Sequence, residues 1–99
     1  LIDSGSLMKA LELSQPDEIY NLAAQSFVGA SFEQPIGSGE ITGLGVTRFL
    51  EALRKVCPDS RFYQASTSEL FGDNSYEEQD EDTPFHPTSP YSAAKLYAH

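Results

Sequence analysis

Basic residues are scarce in this chain: 6 Lys and Arg stand against 15 Asp and Glu in 99 residues, a formal charge of −9. Such a balance argues against roles on nucleic acid or an anionic membrane surface, because both need clustered Lys and Arg to replace counterions. Long apolar runs are missing too. No stretch approaches the roughly 20 residues that span a bilayer, and the opening Leu-Ile-Asp-Ser-Gly-Ser has neither the basic nor the apolar part of a signal peptide. With one cysteine, Cys57, there is no internal disulfide, and no second Cys or His lies at metal-ligand spacing from it. A reducing, cytoplasmic setting and no metal site are therefore expected.

The acidity is uneven. Asp73, Glu77, Glu78, Asp80, Glu81 and Asp82 crowd six carboxylates into ten residues without Lys or Arg. The remainder has an ordinary globular composition, so the window is expected to be a solvated surface loop, with a docking patch as the alternative.

Hydrophobic periodicity divides the rest. Leu7, Ala10 and Leu11 follow the spacing of one buried helical face over residues 4–14, with Ser4 or Ser6 as the cap and Pro16-Asp17 as the stop. Glu18 to Ala24 predicts a buried strand, and residues 26–39 a loop with a broken helix, interrupted by Pro35 and the glycines around it. From Glu40 to Val56, Ile41, Leu44, Phe49, Ala52, Leu53 and Val56 recur with a helical period. Gly43 and Gly45 in that helix each cost roughly 1 kcal/mol relative to Ala, which predicts close packing of its first turns, as on a sheet. Pro58-Asp59-Ser60 turns the chain into a second strand, Arg61 to Ser66.

After that strand, Pro84, Pro87 and Pro90 rule out a regular element until Ser89-Pro90 opens a last helix, with Ser as N-cap and Pro at N1. About seventeen structureless residues within a compact domain usually serve a function, so this loop is expected to cover something. Helix, strand, helix, strand, loop, helix is the order of an α/β fold with a parallel sheet. Two strands do not complete such a sheet, and the expected fold class is part of a doubly wound parallel sheet: two strands and about three helices of a larger domain.

In open α/β sheets ligands bind beyond the carboxyl ends of the strands. The first strand leads there into the small and polar Ala23-Ala24-Gln25-Ser26, the second into Ser66-Thr67-Ser68-Glu69. Tyr91 and Lys95, four apart in the last helix, share one face. An ammonium beside a phenol favours the phenolate, so the pair could abstract a proton near neutrality. The same spacing also fits a tyrosine packed in the core with its lysine in water, and the hydroxyls after the second strand also fit an ordinary turn.

The strings Gln64-Ala-Ser-Thr-Ser-Glu-Leu-Phe-Gly72 and Thr83-Pro-Phe-His-Pro-Thr-Ser-Pro-Tyr-Ser-Ala-Ala-Lys-Leu-Tyr97 resemble the extended short-chain dehydrogenase/reductases, and within them the GDP-mannose 4,6-dehydratases. Glu18-Ile-Tyr-Asn-Leu-Ala-Ala-Gln-Ser26 is similar to the family's fourth strand and following loop. The resemblance implies a Rossmann-like fold, with residues 1–99 an internal piece of the NADP-binding domain. It places the glycine-rich phosphate loop and the substrate domain outside these residues.

It implies roles as well: Tyr91 takes the proton from the sugar 4-hydroxyl, Lys95 favours its phenolate and holds the nicotinamide ribose, Thr67 and Ser68 contact the sugar, and Glu69 removes the C5 proton. Leu1 and Leu22, Ala23, Ala24, Gln25 and Ser26 would line the NADP. GDP-mannose would be the substrate, and the whole enzyme a homo-oligomer. Related dehydratases usually carry Asp where Ser68 stands, and 4-epimerases usually lack the Glu. Departures from the family are Gly37, where a tyrosine is frequent, and Thr88, where an arginine is usual. A related sugar-nucleotide dehydratase or epimerase, and a non-catalytic binding piece, are the alternatives.

Overall fold

The computed structural model describes residues 3–72 and 78–99. Leu1, Asp73 and Glu77 lie outside these residues.

Helix α1 spans Ser4–Ser14. Its cap is Asp3 rather than Ser4 or Ser6: the extended Asp3 backbone lets its carboxylate accept from the N–H groups of Gly5 and Ser6, two donors with no partner inside the helix. At the other end Gln15 turns left-handed, at φ 41°, and Pro16 prevents continuation. Strand β1, Glu18–Asn21, buries Ile19 and Asn21 and exposes Glu18 and Tyr20, the alternation of the pleat.

Strand β2, Arg61–Gln64, pairs with β1 in parallel, with Glu18 opposite Arg61 and Asn21 opposite Gln64. Both strands stop two or three residues before the apolar runs do. Leu22 to Ala24 and Ser66 leave the ladder, whose last backbone bond is Ala65 N–H to Asn21 O; there the Asn21 and Gln64 side-chain amides bond to each other and to the departing backbone.

Helical segments connect them, broken at Gln34 and continuous from Pro35 to Val56. Short α2, Val28–Glu33, precedes α3, Pro35–Ser38, a π-helical segment Gly39–Leu44 and α4, Gly45–Val56, with right-handed backbone maintained through both junctions. The expected break around residues 35–39 is therefore helix. Pro35 stands at N1, where its missing N–H costs nothing, and the glycines that follow keep helical dihedrals. The crowded neighbour of Gly43 is also different from expectation. A Cβ there would lie 3.4 Å from the Tyr97 ring and 3.7 Å from the Ala94 Cα, so a helix, not the sheet, approaches it.

That helix is α5, Pro90–Ala98, opened as its sequence predicts. The Ser89 hydroxyl accepts from the Ser92 N–H at 3.0 Å, while the Ser92 hydroxyl accepts from the Ser89 N–H at 2.9 Å. Between β2 and α5 a 3₁₀ turn, Ser68–Phe71, interrupts the loop.

Helices α1 and α4 pack on one face of the sheet, where Leu11, Ile19, Ala52, Leu53 and Cys57 form the apolar core. On the opposite face Tyr20 and Tyr63 meet at 5.8 Å between ring centroids but stay 63% and 55% exposed. A sheet of this class is ordinarily covered on both sides, and here the described residues cover one.

Candidate functional site at the carboxyl edge of the sheet

Because β1 and β2 are parallel, the segments that follow them leave from the same edge. After β1, Leu22 is 70% exposed, Ala23 and Ser26 are exposed, and Ala24 and Gln25 are half-buried. The loop is anchored from outside. Thr42, buried in the π-helical segment, accepts from the Gln25 N–H at 3.1 Å, and Asn21 Oδ1 accepts from the Ala23 N–H at 3.3 Å. Thr42 and Asn21 had no place among the expected site residues. Asn21 carried a visible signal, an amide at the end of an otherwise apolar strand, whereas nothing in the sequence pairs Thr42 with Gln25.

After β2, Thr67 caps the 3₁₀ turn, its hydroxyl oxygen accepting from the Glu69 N–H at 3.2 Å. Glu69 is exposed on that turn, and Leu70 is buried beneath it. Gly72 ends the turn at φ 54°, where a Cβ would fall 1.9 Å from the His86 carbonyl oxygen. Only glycine fits that approach, which is secured by the His86 N–H donating to Leu70 O at 2.7 Å.

Helix α5 packs against this turn and delivers the tyrosine and lysine. Both are buried, Tyr91 at 8% exposure and Lys95 at 4%. The Lys95 Nζ lies 5.9 Å from the Tyr91 ring centroid and donates to Ala65 O at 3.2 Å. Desolvation holds the Lys95 ammonium below the ordinary lysine range. The reading of this lysine as a solvated surface group therefore falls, and the pair sits at the end of β2.

Thr67 and Ser68 also line a cleft of about 630 Å³, with Asp80, Glu81 and Phe85 of the acidic loop opposite. Phe85 is held between Phe71, at 5.7 Å, and His99, at 5.4 Å, and the His99 Nδ1 is 2.6 Å from the Ser66 hydroxyl. The loop thus shares a cleft with the hydroxyl-rich segment but leaves Ser66 and Ser68 exposed, as are Glu78 and Asp80 to Asp82. Glu69, Tyr91 and Lys95 are not part of the cleft wall. Gly37 lies half-buried in α3 and Thr88 is exposed.

A dinucleotide fits the residues present. The Gln25 Oε1 is buried with no hydrogen-bond partner, and so is the Ser38 hydroxyl. An orphaned acceptor beyond β1 calls for a donor, which the carboxamide or a ribose hydroxyl of a nicotinamide cofactor supplies. The Lys95 ammonium, with three donors, uses one of them on Ala65 O. Among the described residues no group of three or more His, Cys, Asp or Glu could hold a metal ion, and no helix is long and apolar enough to cross a membrane.

Solved structures share the fold. A protein from Pseudomonas aeruginosa described as RMD complexed with NADPH superposes with a TM-score of 0.88 at 28% identity, over 98% of this chain and 34% of its own. DesIV, a dTDP-glucose 4,6-dehydratase from Streptomyces venezuelae with NAD and TYD bound, gives the same score and identity, over 29% of its length. The chain is 50% identical to a GDP-mannose 4,6-dehydratase of Sinorhizobium fredii and 48% identical to one of Vibrio cholerae, over its full length in both. It spans 29% and 27% of those relatives. The GDP-mannose 4,6 dehydratase family model matches residues 1–99. A Rossmann-like sheet edge with a buried tyrosine–lysine pair, and a match to that family over every residue, together identify the chain as a member of the GDP-mannose 4,6-dehydratase family.

Proposed function

We propose that residues 1–99 are an internal piece of the NADP-binding domain of a GDP-mannose 4,6-dehydratase, a lyase that converts GDP-mannose to GDP-4-keto-6-deoxy-mannose and water. The observation that carries this reading is the buried Tyr91–Lys95 pair, whose lysine bonds Ala65 O at the end of β2, just ahead of Thr67 and the exposed Glu69 in the chain.

Each residue has a task set by its chemistry. Tyr91 takes the proton of the sugar 4-hydroxyl, with the Lys95 ammonium 5.9 Å from its ring centroid. The same ammonium bonds a ribose hydroxyl of the cofactor with a hydrogen that Ala65 O does not use. Thr67, fixed as the turn's cap, donates its hydroxyl hydrogen to the sugar O4, and Ser68 contacts the sugar beside it. NADP, when bound, supplies the hydride acceptor for C4 and the hydride donor for C6, so no net oxidation occurs. With the ketone at C4, the C5 proton is acidic, and Glu69 removes it. Glu69, now protonated, delivers that proton to the hydroxyl leaving C6. Ser68 cannot share this task, since a hydroxyl is far too weak an acid. Leu22, Ala23, Ala24, Gln25 and Ser26 line the cofactor, and Leu1 would join them from outside the described residues.

The whole enzyme works in the cytoplasm as a homo-oligomer. Exposed Ile36, Leu44 and Tyr97 on α3, the π-helical segment and α5 supply the apolar surface such an assembly uses.

Glu69→Gln in the full-length protein tests the reaction. Turnover of GDP-mannose falls by about 100-fold or more while NADP still binds, measured by calorimetry. Retained dehydration overturns the reading. A 4-epimerase needs no base at C5, so an epimerised sugar among the products of either protein would mark that alternative.

A further inference from the structure

The two strand ends are tied together by side chains whose roles in the ladder are already filled. Asn21 and Gln64 face each other as the last pair of the parallel register. From them runs a continuous set of hydrogen bonds: Ala23 N–H donates to Asn21 Oδ1 at 3.3 Å, Asn21 Nδ2 to Gln64 Oε1 at 2.7 Å, and Gln64 Nε2 to Ala65 O at 2.9 Å. Ala65 O also accepts the Lys95 Nζ at 3.2 Å. In addition, Ala65 N–H donates to Asn21 O at 3.1 Å.

The direction of this relay is forced from one end. A backbone N–H can only donate, so the Asn21 oxygen must face Ala23. Its amide nitrogen then faces Gln64, whose oxygen must accept, which leaves the Gln64 nitrogen to donate to Ala65 O. Neither amide can flip without placing two donors or two acceptors against each other. The carbonyl that takes the lysine is thereby fixed in direction, on the side of α5.

We infer that Gln64, locked by Asn21, is a positioning residue that aims the Ala65 carbonyl and through it places the Lys95 ammonium beside Tyr91. The relay begins at Ala23, on the loop proposed to line the cofactor, and ends on the lysine proposed to assist Tyr91. This deepens the proposed function and rests on it for the meaning of turnover, while the relay itself is read without substrate.

Two measurements on the full-length protein decide it. Gln64→Met keeps the length of the side chain and removes its hydrogen bonds. With 15N-labelled lysine, of which the segment contains Lys9, Lys55 and Lys95, the Lys95 titration midpoint is expected to fall by about one pH unit as the Ala65 carbonyl, no longer held by the Gln64 amide, turns from the ammonium. Turnover falls by about tenfold, with the KM for GDP-mannose changed by less than about twofold. A merely structural effect lowers the folded fraction and leaves the midpoint of the folded molecules in place.

The second measurement needs no variant. Side-chain amide protons of Gln64 and Asn21 in the unaltered protein exchange with solvent at least about tenfold more slowly than those of the exposed Gln34. An unmoved Lys95 midpoint in Gln64→Met, or exchange at Gln64 as fast as at Gln34, overturns the inference. Both readouts stand even if Glu69→Gln refutes the proposed dehydration.

Discussion

The two sides of this structure bury different chemistry. Where α1 and α4 meet the sheet, the interior is Leu11, Ile19, Ala52, Leu53 and Cys57, with Leu7, Met8, Phe49, Val56 and Phe62 packed around them. At the carboxyl edge and around α5, the buried residues include Asn21, Ser31, Ser38, Thr42, Ser92 and Lys95. An apolar core asks for size and hydrophobicity and tolerates exchange of similar volumes. A buried polar group needs its particular partner, because leaving it unsatisfied costs about 1–3 kcal/mol. The first side is therefore expected to carry stability with little bearing on chemistry, and the second to trade stability for a placed functional group.

The largest test of that division is Lys95→Met. It removes the ammonium from the site while keeping the apolar stem, so turnover is expected to fall by about 100-fold or more in a steady-state assay. The fold should not weaken. Burial lowers the folded-state pKa of Lys95 beneath its ordinary 10.5, so the unfolded chain binds the extra proton between the two values. Stability of the unaltered protein consequently rises as pH climbs through that window, and below it the cost of burying the charge is fully present. Urea unfolding at pH 8 and at pH 10 should show the lysine protein gaining on Lys95→Met at the higher pH.

Leu11→Ala is the converse. Truncating a side chain 5% exposed in the apolar cluster is expected to cost about 2–5 kcal/mol in denaturant unfolding, with turnover per folded molecule unchanged. If Leu11→Ala alters KM or Lys95→Met destabilises the fold, the division fails.

Two smaller changes sharpen it. Gly72→Ala imposes both a left-handed alanine and a collision with the His86 carbonyl, and should detach the loop from the 3₁₀ turn. Its signature is faster hydrogen exchange at His86, with a cost of about 1–3 kcal/mol from the strained backbone. Ser89→Ala removes one half of the cap of α5, at about 1 kcal/mol in thermal unfolding.

Local chemistry was legible wherever the governing partners are near in sequence. Ser89-Pro90 predicted the start of α5, and the spacing of Tyr91 and Lys95 predicted their shared face. The α1 cap was misassigned between neighbours of similar propensity: Asp3, Ser4 and Ser6 are all good caps, and the choice depends on which backbone turns extended. Strand ends were overextended because Leu22 to Ala24 and Ala65 are as apolar as the strands, while the ladder ends where Asn21 and Gln64 meet, 43 residues apart in sequence. The break expected at Pro35 occurs at Gln34, just before it, but the glycines that follow do not interrupt the helix. Propensity disfavours helix there, but packing of the π-helical segment against α5 favours it, and tertiary contact prevails.

The sequence by itself determined the α/β order, the capped final helix and the shared face of Tyr91 and Lys95, since these depend on composition, period and short spacing, and its motif strings carried the family resemblance. Only the tertiary structure decided that Lys95 is buried, that Thr42 holds the loop after β1, and that Asn21 and Gln64 connect that loop to the lysine. Each of these depends on a hydrogen bond or a desolvation between residues 17 to 43 positions apart. Such contacts leave no periodic trace in a chain, because the partner is chosen by the fold and not by the neighbours in sequence.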